Sequence, residues 1–242
     1  MLLTTALCVA LAALSPAPRD GGAVVRAMHD RYAGHWYRTL TFVQKTSRPD
    51  GTVETWYEAL AMPGRLRIDI APLDSGRALI FRDDSLFVLS GGRVTQRRAL
   101  VHPLLLLGFD VYFLAPEVTL RKLVALGVDL GTVHEDTLDG RAMYVVGARK
   151  GDLRSTQFWV DAERLYFVRW ISVQPNGAVS DTRFERYERL DGGWVAPAVV
   201  FLRDGKDAGR EDYTQLHAGV ALDDAMWNPD AFERPAWLRD RP

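Results

Sequence analysis

One apolar segment in the middle of the chain restricts its possible folds more than any other feature. Residues 102–114 read HPLLLLGFDVYFL, and four consecutive leucines leave no polar face on a helix formed there. The segment is shorter than the ~20 residues that an α-helix needs to cross a bilayer. It is therefore either a helix buried in the core or a movable cover over an apolar cavity, and the segment alone leaves both interpretations open.

Patterns typical of β-strands flank this segment on both sides. Alternating or apolar runs are separated by turn sequences such as Pro49-Asp50-Gly51 and Asn176-Gly177, which is the pattern of an antiparallel meander. An amphipathic helix is predicted over residues 23–33, and a second one after Pro116, ending at Gly127. The predicted strands comprise residues 36–48, 53–62, 65–70, 77–82, 86–89, 93–98, 143–148, 158–160, 165–173, 179–190, 194–203 and 211–217.

Several of the predicted strands are apolar on both faces, including residues 86–89, 165–171 and 199–202. An antiparallel sheet with one face in water normally alternates apolar and polar residues, so these strands need cover on both sides. We therefore expect a mainly β fold with helices (α+β), in which a curved antiparallel half-barrel is covered by helices on its concave face. No linker or repeat divides residues 19–242, which predicts a single domain.

Composition and the N-terminal sequence limit the classes of function. The formal net charge is −1, so the basic excess typical of nucleic-acid-binding proteins is missing. Residues 1–18 have the apolar core and small residues of a secretory signal peptide, although no Lys or Arg precedes that core. Cys8, the one cysteine, lies in this segment, so disulfides and thiolate sites are excluded from the rest. These features predict an exported protein, and the absence of disulfides fits a bacterial periplasm as well as any extracellular site.

Motifs for catalysis, metals or cofactors are not found in the sequence. The histidines (His29, His35, His102, His134 and His217) show no metal-binding spacing, and HExxH, GxSxG, P-loop and GxGxxG sequences are missing. The sequence therefore predicts a protein that is not an enzyme and that needs neither a metal ion nor a cofactor.

Several short motifs in a consistent order resemble the LolA/LolB-like superfamily of periplasmic lipoprotein carriers. The resemblance covers essentially all of residues 19–242 and includes the N-terminal helix and the apolar segment beginning at His102. Its motifs are Phe42-Val43-Gln44-Lys45, Pro63-Gly64-Arg65-Leu66-Arg67-Ile68, Asp84-Ser85-Leu86-Phe87, Gly151-Asp152-Leu153 and Phe158-Trp159-Val160-Asp161.

This resemblance implies a half-barrel whose cavity receives the acyl chains of a lipid or an acylated lipoprotein. It also implies the periplasm of a Gram-negative bacterium as the location, a monomer, and a transient membrane-protein partner. The alternative within the same family is a periplasmic regulator that senses lipid or lipoprotein. Met62 stands where the lipoprotein carrier has an arginine needed to hand on cargo, so transfer to an acceptor is not implied. The residues expected to line the cavity or its cover are Leu104, Leu105, Leu107, Phe109, Tyr112, Phe113, Trp36, Phe42 and Trp56.

Overall fold

The computed structural model describes residues 18–239, so the predicted signal peptide lies, except for Pro18, outside the described residues. The helices of this part of the chain are α1 (Gly21–Tyr32), α2 (Pro103–Gly108) and α3 (Pro116–Ala125). The strands are β1 (Thr39–Ser47), β2 (Val53–Ala61), β3 (Arg65–Ile70), β4 (Arg77–Arg82), β5 (Ser85–Ser90), β6 (Arg93–Ala99), β7 (Val133–Leu138), β8 (Arg141–Val146), β9 (Gln157–Asp161), β10 (Phe167–Val173), β11 (Val179–Glu185), β12 (Glu188–Leu190), β13 (Gly193–Val195), β14 (Ala198–Arg203) and β15 (Lys206–Ala218).

One curved antiparallel sheet of 13 strands dominates the structure. Its strand order is β6-β5-β4-β3-β2-β1-β15-β14-β11-β10-β9-β8-β7, and β12 and β13 form a separate hairpin. The outermost strands β6 and β7 do not pair with each other within residues 18–239, so the sheet is not closed into a barrel. The prediction of a mainly β fold built on a curved, open antiparallel sheet is confirmed.

The order of the strands determines the course of the apolar segment. β6 and β7 follow each other in sequence but lie at opposite ends of the sheet. The connection between them therefore has to run from one end to the other, and it carries α2 and α3. Leu106 and Leu107 of α2 join the main hydrophobic core, together with Val24 and Met28 of α1.

The C-terminal segment, residues 221–239, covers the face of the first half of the sheet that points away from the main hydrophobic core. On β2, Tyr57 packs against Trp237, and Ala59 packs against Met226 and Trp227. The residues that alternate with them along β2, Trp56, Glu58 and Leu60, point to the other side. This second cover explains why strands such as β5 are apolar on both faces, since Phe232 packs against the outer side of β4 and β5.

Some predicted elements are shorter or divided. Residues 102–114 form the short helix α2 and then a 3-10 turn, Asp110–Tyr112, because the backbone leaves helical geometry at Phe109 (φ −139°). The predicted strand 194–203 is split into β13 and β14 by Pro197, which has no N–H to donate. The predicted strand 179–190 is split at Arg186, whose φ of 59° ends the extended conformation of β11. No helix within residues 18–239 combines the length and the apolar character that crossing a bilayer requires.

Candidate functional site

The candidate site is a cavity between α2 and the middle of the sheet, with a volume of about 210 Å³. His102 caps the start of α2, since its Nδ1 accepts a hydrogen bond from the Leu105 N–H at 3.2 Å. Pro103 follows at the first helical position, where a missing N–H costs nothing. This local sequence fixes the direction of the short helix and brings its side chains to the cavity.

Apolar side chains from α2 and from many strands form most of the cavity wall. The connection that contains α2 contributes His102, Leu104, Leu105 and Phe109. The apolar residues of the sheet that line the cavity are Phe42, Trp56, Leu60, Leu66, Ile68, Leu79, Phe81, Phe184 and Phe201. Residues far apart in sequence therefore share one concave apolar surface, which is the usual character of a site for apolar ligands.

The structure brings five of the nine sequence-predicted site residues to this cavity: Leu104, Leu105, Phe109, Phe42 and Trp56. The other four predicted residues do not line the cavity: Leu107, Tyr112 and Phe113 of the apolar segment, and Trp36. Leu107 is fully buried in the core. The indole of Trp36 stacks on the ring of Tyr112, with 3.9 Å between their centroids. The guanidinium of Arg38 lies over the ring of Phe113.

Sequence analysis missed the polar residues of the cavity wall, which are Gln44, Glu58, Glu211 and Tyr213. The hydroxyl of Tyr213 donates a hydrogen bond of 2.8 Å to Oε2 of Glu211. Gln44 donates from Nε2 to the hydroxyl of Thr46 at 2.7 Å. One sequence signal was available for Glu58, because it alternates with Trp56 and Leu60 on the apolar face of β2.

Burial changes the ionisation of the polar groups around the cavity. Burial raises the pKa of Glu58 well above the ordinary value for a glutamate, and the nearby Glu211 raises it further. Burial also raises the pKa of Glu211 to about 7, against the opposing effect of the hydrogen bond from Tyr213. Burial of the imidazole lowers the pKa of His102 to about 4. Burial therefore favours the neutral form of the histidine and of both carboxyl groups.

A buried aspartate connects the apolar segment to the turn between β2 and β3. Oδ1 of Asp110 accepts a hydrogen bond of 2.8 Å from the backbone N–H of Gly64. Burial raises the pKa of Asp110 to about 7, and the Gly64 hydrogen bond partly offsets this effect. The same turn contains the buried Met62. The apolar segment is thus attached to the sheet at this turn.

The histidines and acidic groups do not converge on a metal-binding arrangement. Within residues 18–239, no cluster of three or more His, Cys, Asp or Glu side chains has the geometry to hold a metal ion. Nδ1 of His134 lies 2.9 Å from the carbonyl oxygen of Ala148, and Nδ1 of His29 lies 3.0 Å from the carboxylate of its neighbour Asp30. These contacts fix the positions of two partly exposed imidazoles, one between β7 and the chain just after β8, and one within α1.

Comparison with known proteins identifies the class of fold. The chain is similar to a putative outer membrane lipoprotein-sorting protein domain from Vibrio parahaemolyticus, with a TM-score of 0.58, 14% identity and coverage of 86% of this chain and 96% of that one. A DUF1329 family protein from Desulfovibrio piger gives a TM-score of 0.55, 18% identity and coverage of 86% and 95%. A LolA superfamily protein from Nitrosomonas europaea gives 0.51, 14% identity and coverage of 86% and 97%.

These similarities establish the fold. The chain has a LolA-like fold, as the resemblance of its sequence motifs predicted. No protein-family model matches the sequence. A search of curated proteins at the sequence level also gives no match.

Proposed function

We propose that this protein is an exported, periplasmic carrier that binds a lipid or the acyl chains of a lipoprotein in the cavity beneath α2. The observation that supports the proposal most directly is the composition of the cavity wall, which is mostly aliphatic and aromatic and is contributed by both α2 and the sheet. Its similarity in fold to a putative lipoprotein-sorting domain agrees with a carrier rather than an enzyme.

The energetics of apolar transfer make such a cavity sufficient for binding. Each methylene group removed from water contributes ~0.8 kcal/mol, so part of one alkyl chain gives useful affinity without an ion pair. The transfer is reversible because nothing in the mechanism requires a covalent bond. The ligand is released when its alkyl chain can enter a more favourable apolar environment, such as a membrane or an acceptor protein.

The size of the cavity supports a role for α2 as a movable cover of the concave face. The cavity volume of about 210 Å³ is below the ~300 Å³ at which typical ligand pockets begin. Binding a complete acyl chain therefore requires the short helix to move outward. Leu104 and Phe109 are only partly buried, so moving them costs less than moving the fully buried Leu107.

The experiment that tests this proposal places a charge in the cavity wall. We expect the protein purified from a bacterial periplasm to carry extractable lipid detectable by mass spectrometry, and to bind a fluorescent fatty alcohol. Leu104→Asp should weaken that binding at least about tenfold, because a carboxylate in the wall disfavours apolar contact.

The matched control for this variant is Leu153→Asp, which makes the same substitution at a side chain that is 46% exposed and outside the cavity. This control should bind the fluorescent alcohol like the wild type. Absence of both co-purified lipid and alcohol binding would contradict the proposal. Equal loss of binding in the two variants would contradict the placement of the ligand in this cavity.

A further inference from the structure

We infer that the cavity prefers amphiphiles that carry a primary ammonium group at the end of the alkyl chain, with Glu58 and Glu211 receiving that group. The inference rests on the proposed function, since it assigns the chemistry of the cargo's head to the same cavity. It is based on the polar part of the wall, where two carboxyl groups face a space that is otherwise apolar.

Glu58 is the central observation. Its side chain lines the cavity and is only 6% exposed. No group within residues 18–239 donates a hydrogen bond to its carboxyl. The carboxyl of Glu58 therefore opens to the cavity without a protein donor, which leaves it able to accept a hydrogen bond from a ligand. An acceptor in this position indicates a place for a polar group of the bound molecule.

The neighbouring groups indicate that the bound donor is a cation. Glu211 lies close enough to Glu58 for its charge to disfavour the ionisation of Glu58. The hydroxyl of Tyr213 already donates its hydrogen bond to Glu211. The side-chain amide of Gln44 donates to Thr46 and also hydrogen-bonds Glu211, which leaves its carbonyl oxygen as a further acceptor. The three N–H groups of an ammonium match a wall that offers these three acceptors.

Charges that would favour an anionic head are missing from the cavity. Neither Lys nor Arg occurs among the described residues that line it, and the one imidazole, His102, stays neutral above about pH 4. A fatty acid would place its carboxylate beside two acidic groups, which costs free energy either through repulsion or through protonation. The two acidic groups therefore disfavour fatty acids relative to amines, and the one donor without an acceptor among the described lining residues is the neutral indole N–H of Trp56.

The test compares decylamine, decanol and decanoate by calorimetric titration of the intact protein at pH 8. We expect decylamine to bind at least about tenfold more tightly than decanol, because a hydrogen bond to a charged group is stronger than one between neutral groups. Decanoate should bind more weakly than decanol. Glu58→Gln should reduce the affinity for decylamine to that for decanol, while changing decanol binding less than about twofold.

The pH dependence gives a second signature. An ammonium stabilises ionised carboxylates, so its binding displaces a proton from the acidic pair. The affinity for decylamine should therefore rise between pH 5 and pH 8, whereas the affinity for decanol should stay constant. Glu211 titrates in this range, because burial raises its pKa to about 7, and burial raises the pKa of Glu58 in the same direction. His102 is already neutral here, and Tyr213 keeps its proton.

Glu54→Gln is the matched control, because Glu54 lies on the same strand but pairs with Arg48 and Arg77 outside the cavity. This variant should keep the preference for decylamine. If decanol and decylamine bind equally, or if Glu58→Gln keeps the preference, the inference about the ammonium is wrong while the proposed carrier function stands. If none of the three ligands binds, the proposed function itself fails.

Discussion

Single carboxyl groups in apolar surroundings control how this fold responds to pH. Asp110 is the clearest case, because it is only 4% exposed and holds the apolar segment to the turn at Gly64 through one hydrogen bond. Burial raises the pKa of Asp110 to about 7, so its protonated form is favoured in the folded protein relative to the unfolded chain. The resulting stability is present below the ordinary aspartate pKa of ~3.9 and is lost as the pH rises through about 7.

We expect the free energy of unfolding of the wild type to fall between pH 5 and pH 8. In Asp110→Asn this fall should be smaller by about 2 kcal/mol, because the asparagine keeps an oxygen for the Gly64 N–H but does not ionise. Glu58 and Glu211 act in the same direction and remain in the variant, so part of the slope should persist. Urea denaturation at the two pH values measures the difference.

The control for this prediction is Asp139→Asn, at an exposed turn position with φ of 49° that asparagine also adopts readily. It removes the same formal charge from the surface and should leave the pH slope unchanged. An unchanged slope in Asp110→Asn would mean that the aspartate is not a source of the pH dependence.

The C-terminal segment depends on one buried arginine of β3. The guanidinium of Arg67 forms two hydrogen bonds of 2.9 Å with the carboxylate of Asp69 and donates to the carbonyl oxygens of Met226 and Glu233. It also lies 4.7 Å from the centroid of the Phe232 ring. This buried side chain therefore adds four hydrogen bonds, two of them to the C-terminal segment, to the apolar packing that holds the segment on the outer face of the sheet.

Arg67→Met should destabilise the protein by about 3–5 kcal/mol, because it leaves the buried Asp69 carboxylate without its partner. Limited proteolysis should then cut residues 221–239 much earlier than in the wild type. Arg65→Met is a matched control two positions away, since Arg65 pairs with the exposed Asp224 at the surface. Arg65→Met should lower the free energy of unfolding by less than about 1 kcal/mol. Equal effects of the two substitutions would contradict the role assigned to Arg67.

The sequence predicted some elements accurately and could not predict others for identifiable reasons. β3 and β4 have the predicted bounds, because alternation of apolar residues with Arg65, Arg67 and Asp69 and the turns around them are local signals. Five cavity residues could be predicted because apolar side chains are expected to line a cavity. The proximity of Glu58 and Glu211 could not be predicted, since they lie on β2 and β15, which are brought near each other on either side of β1 only by the order of strands in the sheet.

At the scale of the whole molecule, the open sheet and its small cavity imply competition between packing and binding. Phe109 lines the cavity and also a second void of about 10 Å³ next to it, so its ring fills space that a ligand would use. Phe109→Ala should reduce stability by about 2 kcal/mol, as expected for a partly buried aromatic side chain. The same substitution should increase the affinity for long alkyl alcohols, because it enlarges the cavity.

Phe232→Ala is the control, because it removes the same side chain from the outer face of β4 and β5. It should lower stability without changing alcohol binding. Thermal denaturation with and without a saturating alcohol measures both quantities. A loss of binding in Phe109→Ala would show that the ring contributes contacts to the ligand rather than occupying its place.

The pairing of β1 with β15 also has a consequence for how the chain folds. Most neighbouring strands of the sheet are joined by short turns, but β1 and β15, which pair in the middle of the sheet, come from opposite ends of the sequence. Next to this pairing, the Thr39 hydroxyl donates a hydrogen bond to the carbonyl oxygen of Val220, 181 positions away. Contacts of such long range form slowly, because the entropy of closing a large loop has to be lost first. We expect each half of the sheet to assemble from its own hairpins and the two halves to join last through β1 and β15. Chains in which this pairing has not formed would present the edges of β1 and β15, so we expect aggregation to start from such chains.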